Sequence, residues 1–169
     1  MTESSAEKTF TLKSRDVGGQ ATNKQVFNGF GHAGENISPE LSWENVPGGT
    51  KSFAITIHDP DAPTGSGFWH WVVFNIPADI TGLDSGAGDI SKGLMPQGAV
   101  QSLTDFGQPG YGGPCPPQGH GWHTYMITVF ALGVATLDGL DKNSMPALVG
   151  FNIHFNTIAK ASIVMYYKG

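Results

Sequence analysis

A mostly-β chain with one late helix is what the sequence predicts, and three observations carry that expectation. Glycine and proline are abundant, 24 and 11 copies in 169 residues, while only 14% of side chains are charged, a balance that suits many short strands joined by turns. The apolar runs are short, and each is bounded by Gly, Pro, Asn, Asp or Ser. A helical spacing of apolar residues occurs in one place only, near the C-terminus. A chain of this length is expected to form one domain with one sizeable core.

Residues 1–8 are polar and expected to be flexible, which leaves a single domain over residues 9–169. A first strand is expected near residues 9–14 (TFTLKS). Residues 27–39 are turn-rich, and their His32 and Glu35 read as solvated side chains rather than metal ligands. Residues 41–46 (LSWENV) form a short strand closed by Pro47, Gly48 and Gly49.

The most chemically loaded stretch follows, HDPDAPTGSGFWHWVVFN at residues 58–75. Residues 51–58 (KSFAITIH) and 69–76 (WHWVVFNI) have the β-branched and aromatic character of strands. Pro60 and Pro63 exclude helix between them and display Asp59 and Asp61 on stiff backbone, while Gly65 and Gly67 turn the chain. Strand alternation sets His70 on the sheet face opposite both Trp69 and Trp71. Adjacent strand ends would then bring Asp59 and His70 to one cavity.

Residues 77–96 read as an exposed connection, its SGAGDISKG run without apolar pattern, and residues 98–103 (GAVQSL) as a candidate strand. In residues 105–123, Pro114, Pro116 and Pro117 exclude helix and favour an ordered, extended wall. Residues 124–132 (TYMITVFAL) form the clearest strand, apolar on both faces and therefore central. The helix comes next: Ser144 is placed to cap it, Pro146 suits its first turn, and Leu148, Phe151, Ile153, Phe155 and Ile158 form its apolar stripe. Residues 162–167 (SIVMYY) close the chain as a last strand.

Charge narrows the function. A formal net charge of −5 argues against nucleic acid, which needs clustered Lys and Arg, and no Lys or Arg lies between Lys51 and Lys92 or between Lys92 and Lys142. Cys115 is the only cysteine, so no intrachain disulfide forms and a reducing compartment is favoured. No stretch has the length and apolarity of a membrane span, and the N-terminal residues lack the apolar core of a signal peptide, so a cytoplasmic protein is expected.

Two regions then stand together: DPDAP followed by a Trp-His strand, and later PP-x-G-x-G-x-H-x-Y. In this order they resemble the two signature regions of the phosphatidylethanolamine-binding proteins, also called Raf kinase inhibitor proteins, over the chain from Phe10 onward. The likeness is greatest to the short bacterial branch, through GSG-F-WHWVV, DFG, CPP-x-G and ALVGFNIHFNTIAKASI. The resemblance implies an antiparallel Greek-key β-sandwich with a small pocket near one end that takes phosphate-type anions, a phospholipid headgroup among them. It also implies a regulatory role toward a protein partner such as a kinase. Carried over position by position, the pocket walls would be Asp59, Pro63, Trp69, His70, Gly113, Pro116, Pro117, His123 and Tyr125. Where the family often has Arg between the second signature's His and Tyr, this chain has Thr124, which alternation turns away from both.

The residue chemistry is compatible with such a site. Backbone N–H groups and two imidazoles can hold an anion without Arg, with Asp59 orienting an imidazole. Protonation of His70 or His123 would then strengthen binding in mild acid. Asp61 reads as a turn acceptor for its own loop, Cys115 as an inert thiol, and His154 as a packing or surface residue. A small hydrolase or phosphoryl-handling enzyme using Asp59, His70 and His123 is the alternative, weakened by the lack of a nucleophile motif; zinc on the same three groups is a further one, although no cofactor is expected. Apolar residues around Trp122 and the last strand are candidates for a homodimer surface.

Overall fold

The computed structural model describes residues 8–169, so the flexible N-terminus expected from the sequence lies, for residues 1–7, outside the described residues. Eight strands and one helix follow in order: β1 (Thr11–Lys13), β2 (Leu41–Glu44), β3 (Ser52–Asp59), β4 (Phe68–Pro77), β5 (Gly82–Leu83), β6 (Val100–Gln101), β7 (Trp122–Leu132), α1 (Pro146–Asn156) and β8 (Thr157–Lys168). They form a three-stranded sheet, β1-β2-β5, and a five-stranded sheet, β6-β4-β3-β7-β8, antiparallel throughout. Within the larger sheet β3, β4 and β6 lie side by side, and β7 returns to pair with β3. That return is the Greek-key arrangement.

Two apolar layers hold the fold. Leu12, Leu41, Trp43 and Leu83 of the small sheet meet Phe53, Ile55, Ile57, Trp71, Ile127 and Val129 of the large one. On the other face of the large sheet, Ala54, Val72, Phe74 and Leu132 pack against Val149 and Ile153 of α1. β3 is therefore buried on both faces, and its continuous apolar run follows from that position.

Several expectations are corrected. β7 is next to the edge, with β8 outside it, and β3 takes the central place. The SGAGDISKG run is not wholly exposed: Gly86, Ala87 and Gly88 are buried, Gly88 donating to Ser38 Oγ at 2.8 Å. Ser144 does not cap α1; Met145 stands at that position without a side-chain bond, and Ser144 Oγ accepts from Asp141 N–H instead. The helix also faces the other way. It buries Pro146, Val149 and Ile153 and exposes Leu148, Phe151 and Phe155, because large apolar side chains stand on both sides of the helix and periodicity has little with which to choose a face. Ile158 belongs to β8, which begins directly after α1 and five residues before the predicted strand.

The hairpin of β3 and β4 carries the feature that sets up the site. His58 pairs with Trp69 and Ile57 with Trp71, which leaves His70 as an extra residue in a bulge. His70 and Trp71 consequently point to the inter-sheet side, His70 against Tyr125 and Trp71 against Tyr111, while Trp69 packs on the outer layer. Plain alternation separates His70 from Trp69 as expected and fails for Trp71.

Candidate functional site

At the end of β3 nearest the bulge, buried polar groups gather around a cavity of about 200 Å³. Asp59, the last residue of β3, is 2% exposed, and both of its oxygens are used. Oδ1 accepts the N–H of Asp61 at 2.8 Å, and Oδ2 accepts Nδ1–H of His123 at 2.7 Å. His123 enters from β7, which pairs with β3, so the contact joins residues 64 positions apart. The chain of bonds continues outward: His123 Nε2 lies 2.7 Å from Nδ1 of His120, an exposed residue between Gly119 and Gly121.

His70 is anchored from the opposite wall. Its Nδ1 donates to the carbonyl of Gly112 at 2.8 Å, and the N–H of Gly112 donates back to the carbonyl of His70 at 3.0 Å. Burial holds the imidazole's pKa down at about 4, against partial relief from the Gly112 bond and the Asp59 charge, so the ring is neutral in ordinary solution. With the proton on Nδ1, Nε2 carries a lone pair, and it has no hydrogen-bond partner among the described residues. Protonated His70 therefore cannot supply the gain in mild acid expected from the sequence.

Tyr125 completes the polar set. It is fully buried, its hydroxyl has no hydrogen-bond partner among the described residues, and it lines the cavity. Burial, with the charge of Asp59 beside it, raises its pKa, which keeps the O–H as a donor. The Cys115 thiol is likewise pushed up to about 12, chiefly by burial, which keeps it protonated.

Seven of the nine positions expected from the sequence line the cavity: Asp59, Pro63, His70, Pro116, Pro117, His123 and Tyr125. Two do not. Trp69 lies on the outer sheet face, packed at a tilt against His58 with 4.1 Å between ring centroids. Gly113 stands behind the wall, where its N–H donates to Asn36 Oδ1 at 2.8 Å and a Cβ would fall on the carbonyl of Gln25. Gly113→Ala is expected to cost about 1–3 kcal/mol in urea unfolding and to loosen the Gly112 anchor of His70; a variant as stable as wild type would show that this wall yields.

Phe30, Ala62, Thr64, Phe68 and Cys115 line the cavity without having been expected. Phe30 is 74% exposed at its mouth and holds a left-handed φ of 52°, with its ring near those of Phe27 and Phe106. Sequence spacing carries no signal for this cluster, since residues 27–30 reach it through the backbone bond from Phe27 N–H to Pro114 O. His32 is not merely solvated: its Nε2 donates to the carbonyl of Pro116 at 2.9 Å and pins that wall. Asp61 is a structural acceptor, but for the N–H of Thr124 on β7 at 2.7 Å rather than for its own loop.

The bulged His70, the Asp59–His123 pair and the proline wall meet in one cavity over a Greek-key sandwich, and comparison with known proteins matches residues 17–168 to the family described as phosphatidylethanolamine-binding protein. The chain belongs to that family. Among its relatives, the UPF0098 protein YbhB of Escherichia coli (strain K12) is 51% identical over 153 residues, covering 89% of this chain and 94% of YbhB. The UPF0098 protein YbcL of the same strain is 48% identical over 170 residues, covering 99% of this chain and 92% of YbcL. A crystal structure of Escherichia coli YbcL, described as a new member of the mammalian PEBP family, superposes with a TM-score of 0.93 and covers 96% of this chain and 99% of that one. The phosphatidylethanolamine-binding fold thus extends over the sheets and α1 alike. Among the described residues no helix is long and apolar enough to cross a membrane.

Proposed function

We propose that this family member is a binding protein whose cavity takes a small phosphate-type anion, either a phospholipid headgroup or a phosphorylated group on a partner. The buried, unpartnered hydroxyl of Tyr125 is the observation that carries this reading, because a buried polar atom without a partner marks a place for a ligand atom or water. Tyr125 offers a donor, and the free Nε2 of neutral His70 offers an acceptor. A phosphate monoester or inorganic phosphate monoanion answers both, accepting from the tyrosine and donating its P–OH to the imidazole, whereas a phosphodiester headgroup, which has no P–OH, answers the tyrosine through its phosphate and must meet the imidazole with another donor. Asp59 repels such a ligand less than its charge suggests, since both oxygens are occupied by donors.

Catalysis is the weaker reading. The Asp59–His123–His120 chain resembles an oriented base, yet the hydroxyl and thiol groups around the cavity are not poised as nucleophiles. Cys115 is held as a thiol, and the Thr64 hydroxyl donates to the carbonyl of Gly67. A bound anion would then serve recognition, and a kinase or other protein would be engaged through its phosphorylated groups.

Calorimetric titration with inorganic phosphate and with O-phosphoethanolamine tests this. Tyr125→Phe is expected to bind about tenfold more weakly or worse, the loss of a hydrogen bond to a charged group, and His70→Ala to lose binding altogether. Affinity for O-phosphoethanolamine should rise as pH falls through about 6, where the phosphate monoester dianion becomes the monoanion, and not through a histidine titration. Equal affinity in wild type and both variants would place any anion elsewhere.

A further inference from the structure

The cavity is built without a cation. Among the described residues that line it there is no Lys or Arg, and Asp59 is the one carboxylate. An anion that enters therefore meets no compensating charge, and each further negative charge on it adds repulsion from the buried Asp59. What the walls leave open is one donor, the Tyr125 hydroxyl, and one acceptor, Nε2 of His70.

That acceptor is held as one. A carbonyl oxygen only accepts, so Nδ1 of His70, 2.8 Å from the oxygen of Gly112, carries the ring's proton. Turning the ring over would set a carbon against that carbonyl. The rings of Phe68, Phe106 and Tyr125 also fix its plane, meeting it edge to face with centroids 5.1, 5.3 and 5.1 Å away. Burial holds the imidazole's pKa at about 4, so mild acid adds no second proton. A bare anionic oxygen placed at Nε2 would face a lone pair, a repulsive contact of the kind that sets specificity. An oxygen that carries a hydrogen would be bonded there instead.

We propose that His70 is a specificity-determining residue through which the cavity selects inorganic phosphate and phosphate monoesters, which carry a P–OH, and rejects sulfate, sulfate esters and simple phosphodiesters, which carry no such proton. The inference rests on the anion reading above and narrows it to one class of oxyanion. Tyr125 alone would hold any of these ligands, since each offers an oxygen to its O–H. The proton on the ligand is what His70 distinguishes.

Three ligands of equal charge separate the effect of the proton from that of charge. At about pH 5.5, below the second ionisation of a monoester near 6, methyl phosphate, methyl sulfate and dimethyl phosphate are all monoanions, and only the first has a P–OH. Methyl sulfate also matches it in size and shape. Calorimetric titration of the full chain is expected to show methyl sulfate and dimethyl phosphate binding at least about tenfold more weakly than methyl phosphate. Equal binding of the three, each weakened by Tyr125→Phe, overturns the selection and leaves the anion reading standing. Methyl phosphate that fails to bind, or that binds Tyr125→Phe as well as wild type, overturns both. His70→Gln, whose amide can turn its NH₂ toward the ligand, is expected to lose most of the preference, and a folded variant that keeps it overturns the role of His70. Ring-nitrogen NMR on the wild-type complex needs no variant: Nε2 of His70 should stay unprotonated with methyl phosphate bound, and a proton found on it overturns the proposal.

Discussion

On acidification from pH 6.5 to about 4, His70 alone is expected to remove about 3 kcal/mol of stability, at 1.36 kcal/mol for each pH unit of the shift. The folded ring resists its proton down to about 4, whereas the unfolded chain takes it at 6.5. Above 6.5 both states are neutral and the group contributes no pH dependence. Below it the unfolded state gains a proton that the folded state refuses, so stability falls as pH falls, and the loss levels off once the folded ring is protonated too. Urea unfolding of wild type and His70→Gln across this range isolates the effect, because the carboxylates that also titrate there are common to both. The difference between the two proteins should open progressively toward low pH. Parallel curves would mean that His70 is not held neutral by burial, and the acceptor role assigned to its Nε2 would go with it.

Asp59→Ala is expected to cost about 3–5 kcal/mol, the usual consequence of removing one partner from a buried pair, and to abolish anion binding. It leaves Nδ1–H of His123 and the N–H of Asp61 without their acceptor at once. Asp59→Asn should cost less, because its amide oxygen can still accept one of these bonds. If that oxygen stays on Asp61, the amide NH₂ faces His123, whose ring must move its proton to Nε2 and make His120 the acceptor. Ring-nitrogen NMR would register that change of tautomer while urea unfolding measures the cost. An Asp59→Asn variant with tighter anion binding and an unchanged His123 tautomer would recast Asp59 as a repulsive wall rather than an orienting group.

Local rules made part of the site legible, placing Asp59 and His70 near one cavity, and the resemblance supplied the other walls that line it, Pro63, Pro116, Pro117, His123 and Tyr125. Prolines excluded helix on both sides of it, and β-branched runs located β3, β4 and β7, so Asp59 and His123 fell at strand ends. What was lost depended on contacts distant in sequence. The bulge that turns His70 and Trp71 to the same side needs the register of β3 against β4, which alternation within one strand does not contain. Phe30 reaches the cavity mouth because the Phe27 N–H three residues earlier is bonded to the carbonyl of Pro114, and the extra strand β5 is two residues long, below what any pattern resolves. Resemblance carried Trp69 and Gly113 into the pocket, yet one lies on the far sheet face and the other supports the wall. The helix was found and its orientation was not, because large apolar side chains stand on both sides of it.

The pairing of β3 with β7 has a bearing on how the protein is made. During synthesis the hairpin of β3 and β4 is complete long before β7 exists, and at about 5–20 residues per second the free edge of β3 waits several seconds for its partner. Its residues in that interval include Phe53, Ile55 and Ile57, an apolar β-prone segment of the kind that aggregates when left unpaired. Because Asp59 and His123 stand 64 positions apart, the cavity comes into being only when that edge closes. Ligand capture by nascent chains would therefore time the closure, and a chaperone's demand on this protein should end when capture begins.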